Sequence, residues 1–276
     1  MHQKPSRSPP TGGLGESERA VLTALAALER PTVTAEDLVQ RFAMSRQAAN
    51  LTLSRLARKG WLTRLRRGVY AVVPLSSPSG RVTLDDPLAV AMSLFAPCYI
   101  SGWTAAQHWE LTEQIYNVVV VYSAKPQRRS SQEVAGVTFR VRRVPEESIF
   151  GTTKIWSGTT PVLMATVHRT LIDVLDTPEM GGGGRQMLDI ARGYWKRPDR
   201  SPDALLELAT RLGRGTVFKR LGFTAERFGD PTDAWFERCK AGLSSGVSLL
   251  DPAGPERGPL VSRWHLRVNL PVDSDS

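Results

Sequence analysis

Nine cationic side chains, Arg41, Arg46, Arg55, Arg58, Lys59, Arg64, Arg66, Arg67 and Arg81, stand between Asp37 and Asp85 with no acidic residue among them. Cations packed this densely, with no carboxylate to neutralise them, suit contact with phosphate oxygens. Residues 1–80 hold 12 Lys or Arg against 5 Asp or Glu, whereas residues 81–276 hold 24 against 22. Most of the net charge of +9 therefore sits at one end of the sequence.

Other residue groups offer less chemistry. His168, Asp173 and Asp176 fall on one predicted helix, but the four histidines follow no metal-ligand spacing, so the expectation is a satisfied helix surface and no metal site. Glu237 and Lys240 lack the additional carboxylate and closer spacing of a metal-dependent nuclease. Gly181–Gly184 does not end in GK[ST] and does not follow a strand, which points to a flexible link between helices rather than a phosphate cradle. No GxSxG occurs, and Cys98 and Cys239 form no CxxC pair, so neither a nucleophile elbow nor a disulfide framework is expected. A reducing cytoplasm fits this cysteine usage.

The basic segment has its own positioning elements. Ser17 reads as the N-cap of a first helix, with Val21, Leu22, Leu25 and Leu28 at helical spacing until Pro31. Thr34 with Asp37 resembles a capping box for a second helix that buries Leu38, Val39 and Phe42. After a tight turn at Ala43 and Met44, Ser45 caps a third helix, Arg46–Lys59, with an apolar stripe of Ala49, Leu53 and Leu56. Gly60 stops it, and strands at Trp61–Leu65 and Val69–Val73 flank a turn of Arg66, Arg67 and Gly68. That order is the winged helix-turn-helix, whose third helix enters the major groove of DNA. The expected DNA-binding residues are Ser45, Arg46, Gln47, Asn50, Ser54, Arg55 and Arg58 on the helix, and Arg64, Arg66 and Arg67 on the hairpin.

With 276 residues, 41% of them hydrophobic and 23% charged, the chain has room for two globular domains. The fold class read from it is α+β. The organisation is a disordered tail at 1–15, the winged helix at 16–74, a linker at 75–84 that overlaps the Pro- and Ser-rich Pro74–Gly80 stretch, a larger mixed domain of underived topology at 85–270, and a short tail at 271–276. In the larger domain helices are expected at Asp86–Phe95, Ser101–Glu110, Thr166–Leu175, Arg185–Tyr194, Ser201–Leu212 and Asp233–Ala241. Strands are expected at Val118–Tyr122, Val137–Val144 and Trp264–Val268. Trp103, Trp109, Trp156, Trp195, Trp235 and Trp264 read as core residues. Lys125, Arg128, Arg129, Arg140, Arg142 and Arg143 form a second basic cluster, compatible with flanking DNA, an acidic partner or a solvated hairpin. No apolar run reaches the roughly 20 residues that span a bilayer, and no signal peptide is read at the N-terminus.

The series Leu53, Leu56, Gly60, Trp61, Leu62, Arg64, Arg67, Gly68, Val69 and Tyr70 resembles the N-terminal winged helix of the AbiEi-type antitoxins, from abortive-infection toxin–antitoxin systems classed as type IV. Similar motifs follow in the family's order: Tyr99–Trp103 with Ala105 and Ala106, Leu111–Gln114, Arg169–Asp173, Pro178–Gly182 and Arg220–Gly222. His168 departs from the Glu that many relatives carry there. The resemblance runs from 17 to about 268. The residues read as a non-catalytic, cofactor-free protein, and the resemblance implies a repressor that binds inverted repeats in the double-stranded DNA of its own operator. It also implies a C-terminal domain that counters a cognate nucleotidyltransferase-like toxin. Two readings of other classes stay open: a DNA-targeted nuclease or other DNA-processing enzyme, and a winged-helix protein-interaction module.

Overall fold

The computed structural model describes residues 13–28, 30–73, 86–115, 117–127 and 129–271. The linker expected at Pro74–Gly80, Arg81, Arg128, and nearly all of both expected tails lie outside them. The fold is mixed α and β. The first elements are α1 (Glu16–Ala26), β1 (Val33–Thr34), α2 (Ala35–Phe42), α3 (Arg46–Arg58), β2 (Leu62–Arg66) and β3 (Val69–Val72).

Local chemistry explains most of these boundaries. The cap of α1 is Gly15, not Ser17: the Glu18 carboxylate reaches back to accept the Gly15 N–H at 3.2 Å, so the helix starts earlier than expected. Thr34 donates its N–H to Asp37 at 2.6 Å and its hydroxyl at 3.0 Å, the expected reciprocal cap of α2. Ala43 takes a left-handed φ of 49° to turn the chain toward α3. Ser45 Oγ accepts the Ala48 N–H at 3.2 Å at the start of α3. At the other end Gly60, with φ of 84°, lets Trp61 N–H reach the Leu56 carbonyl at 3.0 Å.

The three strands pair in the order β1-β3-β2. Val33 lies opposite Tyr70, while β2 and β3 form an antiparallel hairpin with a register shift between Arg64 and Arg66. Val21, Leu25, Leu38, Ala49, Leu53 and Leu56 close the core between helices and sheet, each 2% exposed or less.

Further along come α4 (Pro87–Phe95), β4 (Cys98–Ile100), α5 (Gly102–His108), β5 (Val118–Ser123), β6 (Ser131–Val134), β7 (Val137–Arg143), β8 (Thr152–Ser157) and β9 (Thr160–Ala165). Strands β4 to β9 form one sheet ordered β6-β7-β5-β4-β9-β8. Then follow α6 (Val167–Asp176), α7 (Gly184–Trp195), α8 (Pro202–Leu212), α9 (Gly215–Phe228) and α10 (Asp233–Ala241). The small strands β10 (Ser248–Leu249), β11 (Leu260–Val261) and β12 (Leu266–Arg267) follow, and β12 is shorter than the strand expected at Trp264–Val268. The chain divides into a first compact unit, Met1–Leu94 with Ser131–Phe139 and Trp156–Val162, and a second unit holding the remainder.

Within the second unit the helices from α6 onward share one apolar core with Trp195, Trp235 and Trp264. Three further sequence expectations fail beyond residue 86. Trp156 is 70% exposed, because it alternates outward on the edge strand β8. Gly181–Gly184 is not a flexible link: side chains at Gly182 and Gly184 would overlap Trp103 and Asp251, so the glycines permit close packing. Asp173 is not on a helix surface. It is buried, accepting hydrogen bonds from Ser101 Oγ at 2.6 Å, Arg169 Nε at 2.8 Å and Tyr99 Oη at 3.0 Å.

Candidate nucleic-acid interface

Burying Ala49, Leu53 and Leu56 turns the opposite side of α3 outward by helical periodicity alone. Ser45, Arg46, Gln47, Asn50, Ser54, Arg55 and Arg58 are all exposed. No acidic residue occupies its first turn, and Arg55 and Arg58 occupy its last. The hairpin adds exposed Arg64, Arg66 and Arg67, with Gly68 at φ of 78° making the turn between the strands. One contiguous stretch of sequence thus presents amide and hydroxyl groups on a helix beside guanidinium groups on a hairpin. Amides and guanidinium forks match the donors and acceptors of base edges, and the cations match phosphates.

The ten residues are not equivalent. Arg55 Nε and Lys59 Nζ both pair with Glu18 of α1, at 2.9 and 2.6 Å. Glu18 is 7% exposed, and the hydrogen bond from Lys59 together with the one from the Gly15 N–H holds its carboxyl below the ordinary glutamate range. Arg55 therefore spends part of its charge tying α3 to α1. Ser54 Oγ lies 3.4 Å from Tyr70 Oη on β3, and Arg66 donates to the Leu94 carbonyl at 2.7 Å. Arg46, Arg58, Arg64 and Arg67 make no ion pair among the described residues. Sequence reasoning passed over Lys59 as an anchored cation and Leu51 as an exposed apolar residue among polar neighbours. Leu51 is 63% exposed between Gln47 and Arg55, and its i±4 spacing to both was the available signal.

The second basic cluster is divided. Arg142 on β7 pairs with Asp176 at 2.7 Å and lies 5.7 Å from the centre of the Tyr122 ring, and Arg140 donates to the Glu179 carbonyl at 3.2 Å. Arg129 and Arg143 are exposed and Lys125 is half-buried. These residues share a strand and a loop without converging on one described pocket.

Among the described residues no group of three His, Cys, Asp or Glu is placed to hold a metal ion. His168 Nδ1 sits 2.7 Å from Tyr194 Oη, and burial lowers its pKa. Burial also pushes the thiols of Cys98 and Cys239 up to about 12, far from a reactive thiolate. No helix among the described residues is long and apolar enough to cross a membrane.

By sequence, the helices and hairpin of the basic segment are similar to one family of transcriptional regulators. The matching family is described as a transcriptional regulator, AbiEi antitoxin, and the match covers residues 21–73, from α1 to the end of β3. It agrees with the resemblance drawn from the series Leu53 to Tyr70. No curated protein matches the chain.

Proposed function

We propose that residues 16–73 are a winged helix-turn-helix that binds operator DNA. In this reading α3 is the recognition helix and the β2–β3 hairpin the wing, and the protein is a cytoplasmic repressor of its own operon and the antitoxin of a toxin–antitoxin pair. The observation that carries the reading is the acid-free outward face of α3, polar and cationic, in a segment that matches an antitoxin regulator family. Arg46, Gln47 and Asn50 read bases near the start of the helix. Arg58, Arg64 and Arg67 neutralise phosphates, and the second unit counters a nucleotidyltransferase-like toxin encoded beside this gene.

The test is a titration of the full chain against a duplex spanning the region upstream of its own gene and a scrambled duplex, over a series of salt concentrations. Preference for the upstream duplex and a negative slope of log affinity against log salt are expected. Equal affinity for both duplexes would remove the repressor. For the antitoxin, co-expression of the neighbouring nucleotidyltransferase-like frame from a foreign promoter should arrest growth and this chain should relieve the arrest. Continued arrest would remove that part.

A further inference from the structure

Five large apolar side chains are exposed among the described residues: Leu51, Ile115, Trp156, Val247 and Leu260. Leu51 alone falls within the helices and hairpin of residues 13–73, and it lies on the outward face of α3. Neighbours one turn away are Gln47 and Ala48 before it and Ser54 and Arg55 after it, all exposed. A leucine there contributes nothing to the core, which Ala49, Leu53 and Leu56 fill from the other side. Nor can it donate or accept a hydrogen bond. An isobutyl group flanked by hydrogen-bonding side chains has one apolar complement in the major groove, the C5-methyl group of thymine, which 5-methylcytosine also carries.

We propose that Leu51 is a specificity-determining residue that selects thymine at one position of each operator half-site by packing against its methyl group. The inference rests on the reading of α3 as a recognition helix. It adds a hydrophobic contact to the hydrogen bonds assigned to Arg46, Gln47 and Asn50. Cytosine at that position presents an N4 amino donor and no methyl group, so pairing it with Leu51 would strip a polar group of water without replacing its hydrogen bond. Discrimination therefore comes both from what leucine attracts and from what it leaves unpaired.

The test uses the full chain and a duplex selected by it from a random-sequence pool. Each thymine in that duplex is replaced singly by deoxyuridine, which removes the methyl group and leaves every hydrogen-bonding group of the base in place. For the unaltered protein, one replacement per half-site should weaken binding about fourfold, the value of one buried methyl group. Leu51→Ala should weaken binding to the thymine duplex several-fold and should be indifferent to the same replacement. Melting temperatures of the two proteins should agree, since the side chain is exposed, and Leu260→Ala should bind as the unaltered chain does. Restoring the methyl group as 5-methylcytosine opposite guanine should recover part of the affinity that unmethylated cytosine forfeits, and only when Leu51 is present. If Leu51→Ala binds the selected duplex as tightly as the unaltered chain, or if deoxyuridine weakens both proteins equally, the inference is overturned. If no duplex is enriched and no DNA binds in a salt-dependent way, the recognition-helix reading falls and takes this inference with it.

Discussion

The arginines of α3 and its hairpin and those of the second unit's helices are the same residue used for opposite ends. Arg46, Arg58, Arg64 and Arg67 are exposed, with no ion pair among the described residues. Arg169 is 1% exposed, giving Nε to Asp173 and Nη2 to Tyr99 Oη and the Ser148 carbonyl, with its guanidinium carbon 4.1 Å from the Phe150 ring centre. Arg220, 3% exposed, donates to the carbonyls of Leu175, Leu249 and Leu250 at 2.6 to 3.1 Å, and burial lowers its pKa to about 10. A free cation on a surface is available to a polyanion. A cation already surrounded by oxygens fastens loops to helices. Net charge counts both alike, which is why it locates the first group and hides the second.

The sharpest way to break this contrast is to delete charge in both places. Arg169→Ala leaves Asp173 buried without its ion-pair partner and should destabilise folding by about 3–5 kcal/mol. Arg220→Ala, which abandons three carbonyls, two of them buried, should destabilise by a comparable amount. Arg58→Ala and Arg67→Ala should shift stability by no more than about 0.5 kcal/mol. Chemical denaturation of the four variants decides the matter. Equal destabilisation in both groups would show that the exposed arginines are structural too.

The residues proposed to read bases give the next largest effect. Gln47→Ala or Asn50→Ala should weaken binding to the operator by about 1–3 kcal/mol and leave binding to random duplex nearly unchanged. Uniform weakening on both would move these amides from reading bases to positioning the protein. Arg64→Ala and Arg67→Ala should act the other way, weakening all sequences and lowering the salt slope by about 1 for each phosphate left without its cation. Titrations at several salt concentrations would expose an unchanged slope, and with it a wing that does not touch DNA.

Glu18 yields the smallest and most conditional effect. Its carboxyl titrates below the ordinary glutamate value in the folded chain, so the stability it supplies is present above that value and is lost as pH falls through the depressed one. Glu18→Gln should therefore lower the melting temperature at neutral pH, and the gap from the unaltered chain should close in acid. A gap that persists with the carboxyl fully protonated would mean that packing, rather than the charge on Glu18, links α1 to α3.

Much of α3 was legible because its signals are local: a serine cap, an apolar stripe and a terminating glycine lie within 16 residues, from Ser45 to Gly60. The polar face followed from the same periodicity. Strand β1 was not legible, since Val33 and Thr34 are too short to show alternation and are defined by pairing with β3. Nor were β4, β8 and β9, because their place in the sheet depends on strands distant in sequence. Helix α9 carries internal glycine and has no side-chain cap, so propensity argues against it. The position of Asp173 was hidden for another reason. A carboxylate four residues after an arginine usually marks an exposed pair, and only Tyr99 and Ser101, 74 and 72 residues earlier, make the interior habitable for it.

The glycine in α9 also imposes an order in time. Gly222 is bare because the Trp264 ring lies against its backbone, and that indole donates to Glu226 at 2.6 Å. At roughly 5–20 residues per second, the ring is synthesised about 2–8 s after the groove that receives it. Until the ring packs there, the face of α9 around Gly222 has no cover from Trp264, whereas α1 to β3 are complete by Val72. Released chains that end between Ala241 and Trp264 should accordingly be cut within α9 by added protease, and the full chain should resist.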